Sequence, residues 1–270
     1  MPFGALFTAA TGLKAYEEEL NDVSNNLANS RTPGFKKGRV DMETLFYIQR
    51  SFPQELDTAM AKNDSFFLPP VGIEVGTGVR VAATPHDFSQ GSIAVTNKPL
   101  DVAIDGEGFF QFRMPDGSLA YGRTGNFQLD REGNLVDPNG HLLEPAIVIP
   151  EGTTAVQVNQ DGKVSVSINN SVELTEVGQI DLAPFTNSPG LKSIGQNLSV
   201  PTPASGEALV GTPSQEGFGN VAQFSLENSN VDVISEMVRT VQVQRVFDTL
   251  IQMVQAANGM LTALGQINRG

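Results

Sequence analysis

Apolar residues near the start of the chain fall at Leu6, Ala9, Leu13, Tyr16, Leu20, Val23 and Leu27, spaced alternately by three and four positions. That spacing is a heptad seam and predicts an amphipathic helix over residues 3–29. Lys14, Glu17, Glu18, Asn21 and Asp22 occupy the other side. At 1.5 Å per residue such a helix is roughly 40 Å long. Thr32-Pro33-Gly34 ends it, because Pro33 pushes Thr32 out of helical geometry and Gly34 supplies a free turn.

The far end of the chain repeats the pattern with one difference. Ser229-Asn230 offers an N-cap, and Asp232 falls in the first turn, where the helix dipole favours an anion. Downstream, Val243, Phe247, Leu250, Val254, Ala257, Leu261 and Leu264 form one seam. Val246, Leu250, Met253, Ala257, Met260, Leu264 and Ile267 form a second beside it. Two adjacent seams call for cover on two sides, so a single partner helix would leave apolar surface bare. Periodicity alone fits equally well a helix packed on the central region.

Between the helices the period changes. Alternation or short apolar runs mark Val79–Ala83, Leu100–Ile104, Phe109–Phe112, Phe127–Leu129, Ala146–Ile149, Ala155–Val158, Val164–Ile168 and Gln179–Phe185. Turn clusters such as Pro115-Asp116-Gly117, Glu132-Gly133-Asn134, Pro138-Asn139-Gly140 and Asp161-Gly162 punctuate them. Strands and turns at this density predict an antiparallel domain of hairpins. Residues 48–70 and 200–220 are rich in Pro, Gly and polar residues and read as connectors. The expected fold is therefore α+β and mainly β. Residues 1–30 and 229–270 form a terminal helical domain, 31–70 and 200–228 an extended connector region, and 71–199 an antiparallel β domain. Both helices then lie at one end of that domain and can pair with each other in coiled-coil fashion.

Composition narrows the function. The 270 residues carry 30 Asp and Glu against 17 Lys and Arg, a net charge of −13 that opposes nucleic acids and anionic membranes. No cysteine is present, which excludes disulfides, thiolate metal sites and cysteine nucleophiles. His86 and His141 stand 55 positions apart, and surface or hydrogen-bonded histidines are the plainer reading than a metal centre. No secretory signal is expected from Met-Pro-Phe-Gly-Ala-Leu-Phe, and no run is apolar enough to span a bilayer.

Nothing in the sequence organises a reaction. Gly76-Thr77-Gly78 and Gly106-Glu107-Gly108 lack the third glycine and following helix of a nucleotide loop and read as β-turns. Asp130 to Asn134 and Asp137 to Gly140 lack the spacing of a calcium loop. Asp101 and Asp105 read as strand-edge and turn residues. No catalytic residue, cofactor or metal site is expected. A soluble β-sandwich enzyme or binding protein is the alternative of another class.

Several strings, in order, resemble one family. Asn25-Asn26-Leu27-Ala28-Asn29 followed by Thr32-Pro33-Gly34-Phe35-Lys36 is similar to the N-terminal signature of the flagellar rod and hook family. Ser229-Asn230-Val231-Asp232 with Gln244-Arg245-Val246-Phe247 resembles its C-terminal signature, which usually has Ala-Tyr in place of Val246-Phe247. Between them Gly76-Thr77-Gly78-Val79, Ser89-Gln90-Gly91, Leu100 to Phe110, Tyr121 to Phe127 and Gly195-Gln196-Asn197-Leu198 follow the same order.

The resemblance covers nearly the whole chain and is greatest to the distal rod members, with a proximal rod or hook-type axial protein as the alternative. It implies a structural subunit of the basal-body rod, exported without a cleaved signal by the flagellar type III apparatus. The rod would then cross the periplasm toward the outer membrane and transmit torque to the hook. Implied partners are further copies in a helical homopolymer, other rod proteins, the hook or junction protein, and the surrounding P and L ring proteins. Residues implied in assembly are Leu6, Leu13, Tyr16, Leu20, Val23, Leu27, Phe247, Leu250, Met253, Val254, Leu261 and Leu264. Phe3-x-x-x-Phe7 resembles a short hydrophobic export motif, and a helix staple is the competing use. The connector insert resembles the element that keeps a rod straight.

Overall fold

The computed structural model describes residues 2–51, 73–168, 174–215 and 217–267. Residues 52–72, which take in most of the 48–70 insert, and the side chains of Phe3 and Leu264 lie outside the described residues. Two long helices, α1 (Pro2–Ala28) and α2 (Val233–Ile267), flank a β region whose strand pairs are antiparallel. The chain divides into two compact units, one formed by residues 1–24, 39–84 and 237–270, the other by 25–38 and 85–236.

In the first unit, two ribbons accompany the helices. β1 (Asp41–Thr44) pairs with β4 (Val79–Ala83), and β2 (Tyr47–Ser51) pairs with β3 (Ile73–Gly76). β1 is polar or half-buried, as in Asp41-Met42-Glu43-Thr44, and Tyr47, Ile48 and Val75 of the other ribbon are exposed, so burial follows no clean alternation. That is why the sequence shows only β4. Gly78 is needed where it stands: its φ is +122°, and a Cβ there would sit 2.1 Å from the Thr11 hydroxyl.

The second unit is built on a seven-stranded sheet. In chain order the strands of this unit begin with β5 (Ile93–Val95), β6 (Val102–Asp105), β7 (Phe110–Arg113), β8 (Leu119–Gly122) and β9 (Gln128–Leu129). β10 (Leu135–Val136), β11 (Leu142–Glu144), β12 (Thr153–Val158), β13 (Lys163–Ile168) and β14 (Thr175–Gln179) follow. The unit closes with β15 (Lys192–Gly195), β16 (Leu198–Val200), β17 (Asn220–Gln223) and β18 (Ser225–Glu227). The large sheet is ordered β15-β16-β8-β7-β11-β10-β9, while β12, β13 and β14 form a separate three-stranded sheet, β17 joins β6, and β18 joins β5. One apolar core collects Phe110, Phe112 and Leu143 from the large sheet, Val164 and Val166 from β13, and Ile104 and Val221 from the β6–β17 pair.

Two expected strands are not strands. Within Ala146–Ile149 and Gln179–Phe185, Val148 and Leu182 make isolated bridges to Asn134 and Gly211. Ile147, Ile149, Ile180 and Leu182 are all buried in the core. A short apolar run reports burial, and here burial is achieved by chain that crosses the core without a ladder. The glycine strings behave as turns: Gly106 and Gly108, with φ of +114° and +133°, lie between β6 and β7. Asp137 to His141 turns β10 into β11.

Candidate assembly site

The predicted seam of α1 faces inward. Ala9 and Val23 are buried, Leu6, Leu13, Tyr16, Leu20 and Leu27 are half-buried, and Lys14, Glu17 and Glu18 are exposed. Where α1 meets α2, a Cβ on Gly12 would lie 3.2 Å from Leu250 Cδ1, and Glu19 accepts hydrogen bonds from Arg239 at 3.0 Å. The pairs 12–250 and 19–239 run in opposite directions, so the helices meet antiparallel.

The two seams of α2 differ. Along the first, Val243 and Ala257 are buried and Phe247, Leu250, Val254 and Leu261 half-buried. Along the second, Val246, Met253 and Met260 are 37%, 56% and 54% exposed. Met237, Val238 and Val241 add to this bare surface. A shallow groove lined by Gly4, Ala5, Thr8, Ala9, Val75, Leu250 and Met253 adjoins it. The start of α2 is one turn later than its sequence suggests. Asp232 itself is the cap, accepting from Ile234 N at 3.1 Å and Ser235 Oγ at 2.6 Å, which holds its carboxyl below the usual range. Ser229 and Asn230 are occupied elsewhere. Ser229 Oγ accepts from Val231 N, and Asn230 Oδ1 accepts from Lys37 N at 2.8 Å.

In the second unit, strings far apart in sequence meet around one carboxylate. Glu227, whose side chain has no exposed surface, accepts from Lys36 Nζ at 2.6 Å, Gly91 N at 2.8 Å and Arg123 Nη1 at 3.4 Å. Lys36 Nζ also donates to Ser89 O at 2.8 Å, and Gly34 N donates to Glu227 O. Burial pulls the Lys36 ammonium below its ordinary value against the opposing effect of Glu227. The Arg123 guanidinium is lowered by burial too. Gly34 has φ of +70° and would place a Cβ 2.8 Å from Thr124 N, so only glycine fits this approach. Around it, Asn26 brackets Gly38 through both its amide atoms, Thr32 Oγ1 donates to Asn29 Oδ1, and Asn197 Nδ2 donates to Pro33 O.

Comparison with known proteins decides what this arrangement belongs to. A family model described as flagella basal body rod protein matches residues 6–36. The flagellar hook protein FlgE/F/G D1 domain matches 103–166, and the flagellar basal body rod FlgEFG protein C-terminal matches 222–267. The chain is 39% identical over 266 residues to the flagellar basal-body rod protein FlgG of Buchnera aphidicola from Schizaphis graminum, covering 97% of this chain and 99% of that protein. It is 38% identical over 267 residues to FlgG of Borreliella burgdorferi, covering 98% of each. With FlgG of Caulobacter vibrioides it shares 36% over 264 residues, covering 97% and 98%.

The chain belongs to the FlgG family of flagellar basal-body rod proteins.

Membership places it in the basal-body rod as a structural subunit, among rod and hook proteins. Lys36 closes the first of the outer family matches, and Glu227 lies inside the last, so the ion pair joins the two. Of the motif residues, Asn25, Asn26, Asn29, Thr32, Pro33, Gly34 and Phe35 gather here, whereas Gln244 and Arg245 stand exposed on α2. Phe7 is exposed on α1. Glu227 carries no sequence signal, since nothing around a lone glutamate announces that two cations 191 and 104 positions away will bury it. His141 Nδ1 donates to Asp137 Oδ2 at 2.9 Å in a buried turn, and His86 Nδ1 donates to Lys36 O at 3.1 Å. Among the described residues, no group of His, Asp and Glu could hold a metal ion. No described helix is long and apolar enough to cross a membrane.

Proposed function

We propose that the chain is a distal-rod subunit that polymerises through α1 and α2, which pair as a coiled-coil-like unit and stack with neighbouring copies into a helical tube. The observation that carries this is the bare second seam, Val246, Met253 and Met260, on a helix whose first seam is already covered. Apolar surface repeated along a helix is stabilised when a neighbour covers it. A contact between different faces of identical copies repeats without closing and so builds a filament. The antiparallel contacts at Gly12–Leu250 and Glu19–Arg239 support pairing within one copy, leaving the second seam for the next. With a charge of −13, copies repel until apolar contact prevails, which favours assembly at a growing end over free aggregation.

The same reading assigns the flagellar type III apparatus as the export route, without a cleaved signal, and the P and L rings as surroundings of the rod in the periplasm. The roles of the seam residues, of Phe3 and Phe7 in export, and of the insert at residues 48–70 as a stiffening connector are part of it. The test is Met253→Asp combined with Met260→Asp. Both side chains are more than half exposed, so the variant should fold like the parent by circular dichroism and fail to polymerise by sedimentation and electron microscopy. A variant that polymerises normally contradicts the assembly role of the second seam.

A further inference from the structure

The bare seam of α2 carries sulfur. The chain has seven methionines, and two of them, Met253 and Met260, are 56% and 54% exposed on this seam. They stand about two helical turns apart and in line with Val246, so the three side chains share one face. Met253 also borders the shallow groove beside Ala9 and Leu250. Met114, by contrast, is half-buried and packed on the β-region core, and Met42 is half-buried on β1. Met237 is exposed as well, but it precedes Val246 by about two and a half turns and so lies on the other side of the helix.

A thioether is apolar and polarisable, and it packs well against other apolar groups. Its sulfur also carries an electron pair that a peroxide attacks when the side chain is open to water. The transfer breaks the peroxide O–O bond and forms an S–O bond. Sulfur loses two electrons, and hydrogen peroxide is reduced to water. The sulfoxide is polar, so burying it in an apolar contact without a hydrogen-bond partner is unfavourable. Neither methionine is enclosed within the subunit, so this change alters the seam without disturbing the fold.

We propose that Met253 and Met260 are oxidation sites that regulate assembly: a peroxide acting on the free subunit converts them to sulfoxides and keeps it out of the polymer. The inference rests on the second seam being the assembly surface. Reduction of the sulfoxides restores the thioethers, so the block is reversible.

The test treats the full-length chain with hydrogen peroxide and compares it with untreated chain by peptide mass spectrometry and sedimentation. Met253 and Met260 should each gain one oxygen atom well before Met114. The oxidised chain should keep its circular dichroism and require roughly tenfold more protein to polymerise. Methionine sulfoxide reductases, one for each epimer, should restore assembly. Met253→Leu combined with Met260→Leu keeps the face apolar and should polymerise equally before and after peroxide, even with Met237 oxidised. Normal polymerisation of the oxidised parent, an equal loss in the leucine variant, or earlier oxidation of Met114 each overturns the proposal. If the oxidised chain polymerises normally while Met253→Asp with Met260→Asp does not, this inference alone fails. If the aspartate variant polymerises too, the seam reading fails with it.

Discussion

Glu227 holds two cations and a backbone amide while sealed from solvent, and each of its partners comes from a different part of the chain. Removing its charge strands Lys36 and Arg123 in a buried place. Glu227→Gln keeps the shape and should cost about 3–5 kcal/mol of stability, read by urea denaturation. A loss below about 1 kcal/mol would mean that water already screens the cluster.

Lys36 provides a second check through pH. Its folded pKa lies below the unfolded 10.5, chiefly because burial disfavours its charge. Between those two values the unfolded chain holds more protons, so the stability contributed by Lys36 rises as pH increases through that window. Lys36→Met should abolish this alkaline rise, and equal slopes in the two proteins would contradict it. Lys36 and Arg123 were visible in the sequence as members of strings, with no hint of their meeting. Burial of a charge is a tertiary property, and neither period nor spacing records it.

At the scale of elements, the period of the terminal segments carried most of the information. Helix α1 ends at Ala28, where the Asn29 side chain donates to Asn25 O and Oδ1. The double seam of α2 was readable because helical spacing fixes which side chains share a face, and the structure shows one seam covered and one bare. What spacing could not give was the start of α2, because Ser229, Asn230 and Asp232 are all plausible caps and their long-range bonds decide among them. The short strands were harder for a different reason. β1, β2 and β3 lie in two-stranded ribbons with no buried face to impose alternation, while core-crossing chain at Ile147 and Ile180 imitates strands.

The contrast between the seams makes a prediction of its own. Leu250→Asp places a charge against Gly12 of α1 within one copy, so it should lower monomer stability by about 1–3 kcal/mol as well as block assembly. Met253→Asp should block assembly alone. Equal thermal midpoints for the two variants would show that Leu250 is not engaged inside the subunit.

For the whole molecule, the order helix, β region, helix follows from the change of period along the chain, and the ordered strings carried the family. How copies fit together is not a property of one chain's pattern, since it depends on surfaces that become adjacent only in the polymer. The insert has its consequence at this scale. Deleting residues 50–68 should leave export intact and give curved, hook-like polymers, seen by electron microscopy of the secreted assemblies; straight rods of normal length would remove its stiffening role. The most direct measurement of the account is electron microscopy of basal bodies from cells lacking this chain, beside cells in which it is restored. Rods that stop short, without outer rings or hook, are the predicted result, reversed by the restored chain. Complete rods bearing hooks in its absence would contradict the assignment to the distal rod.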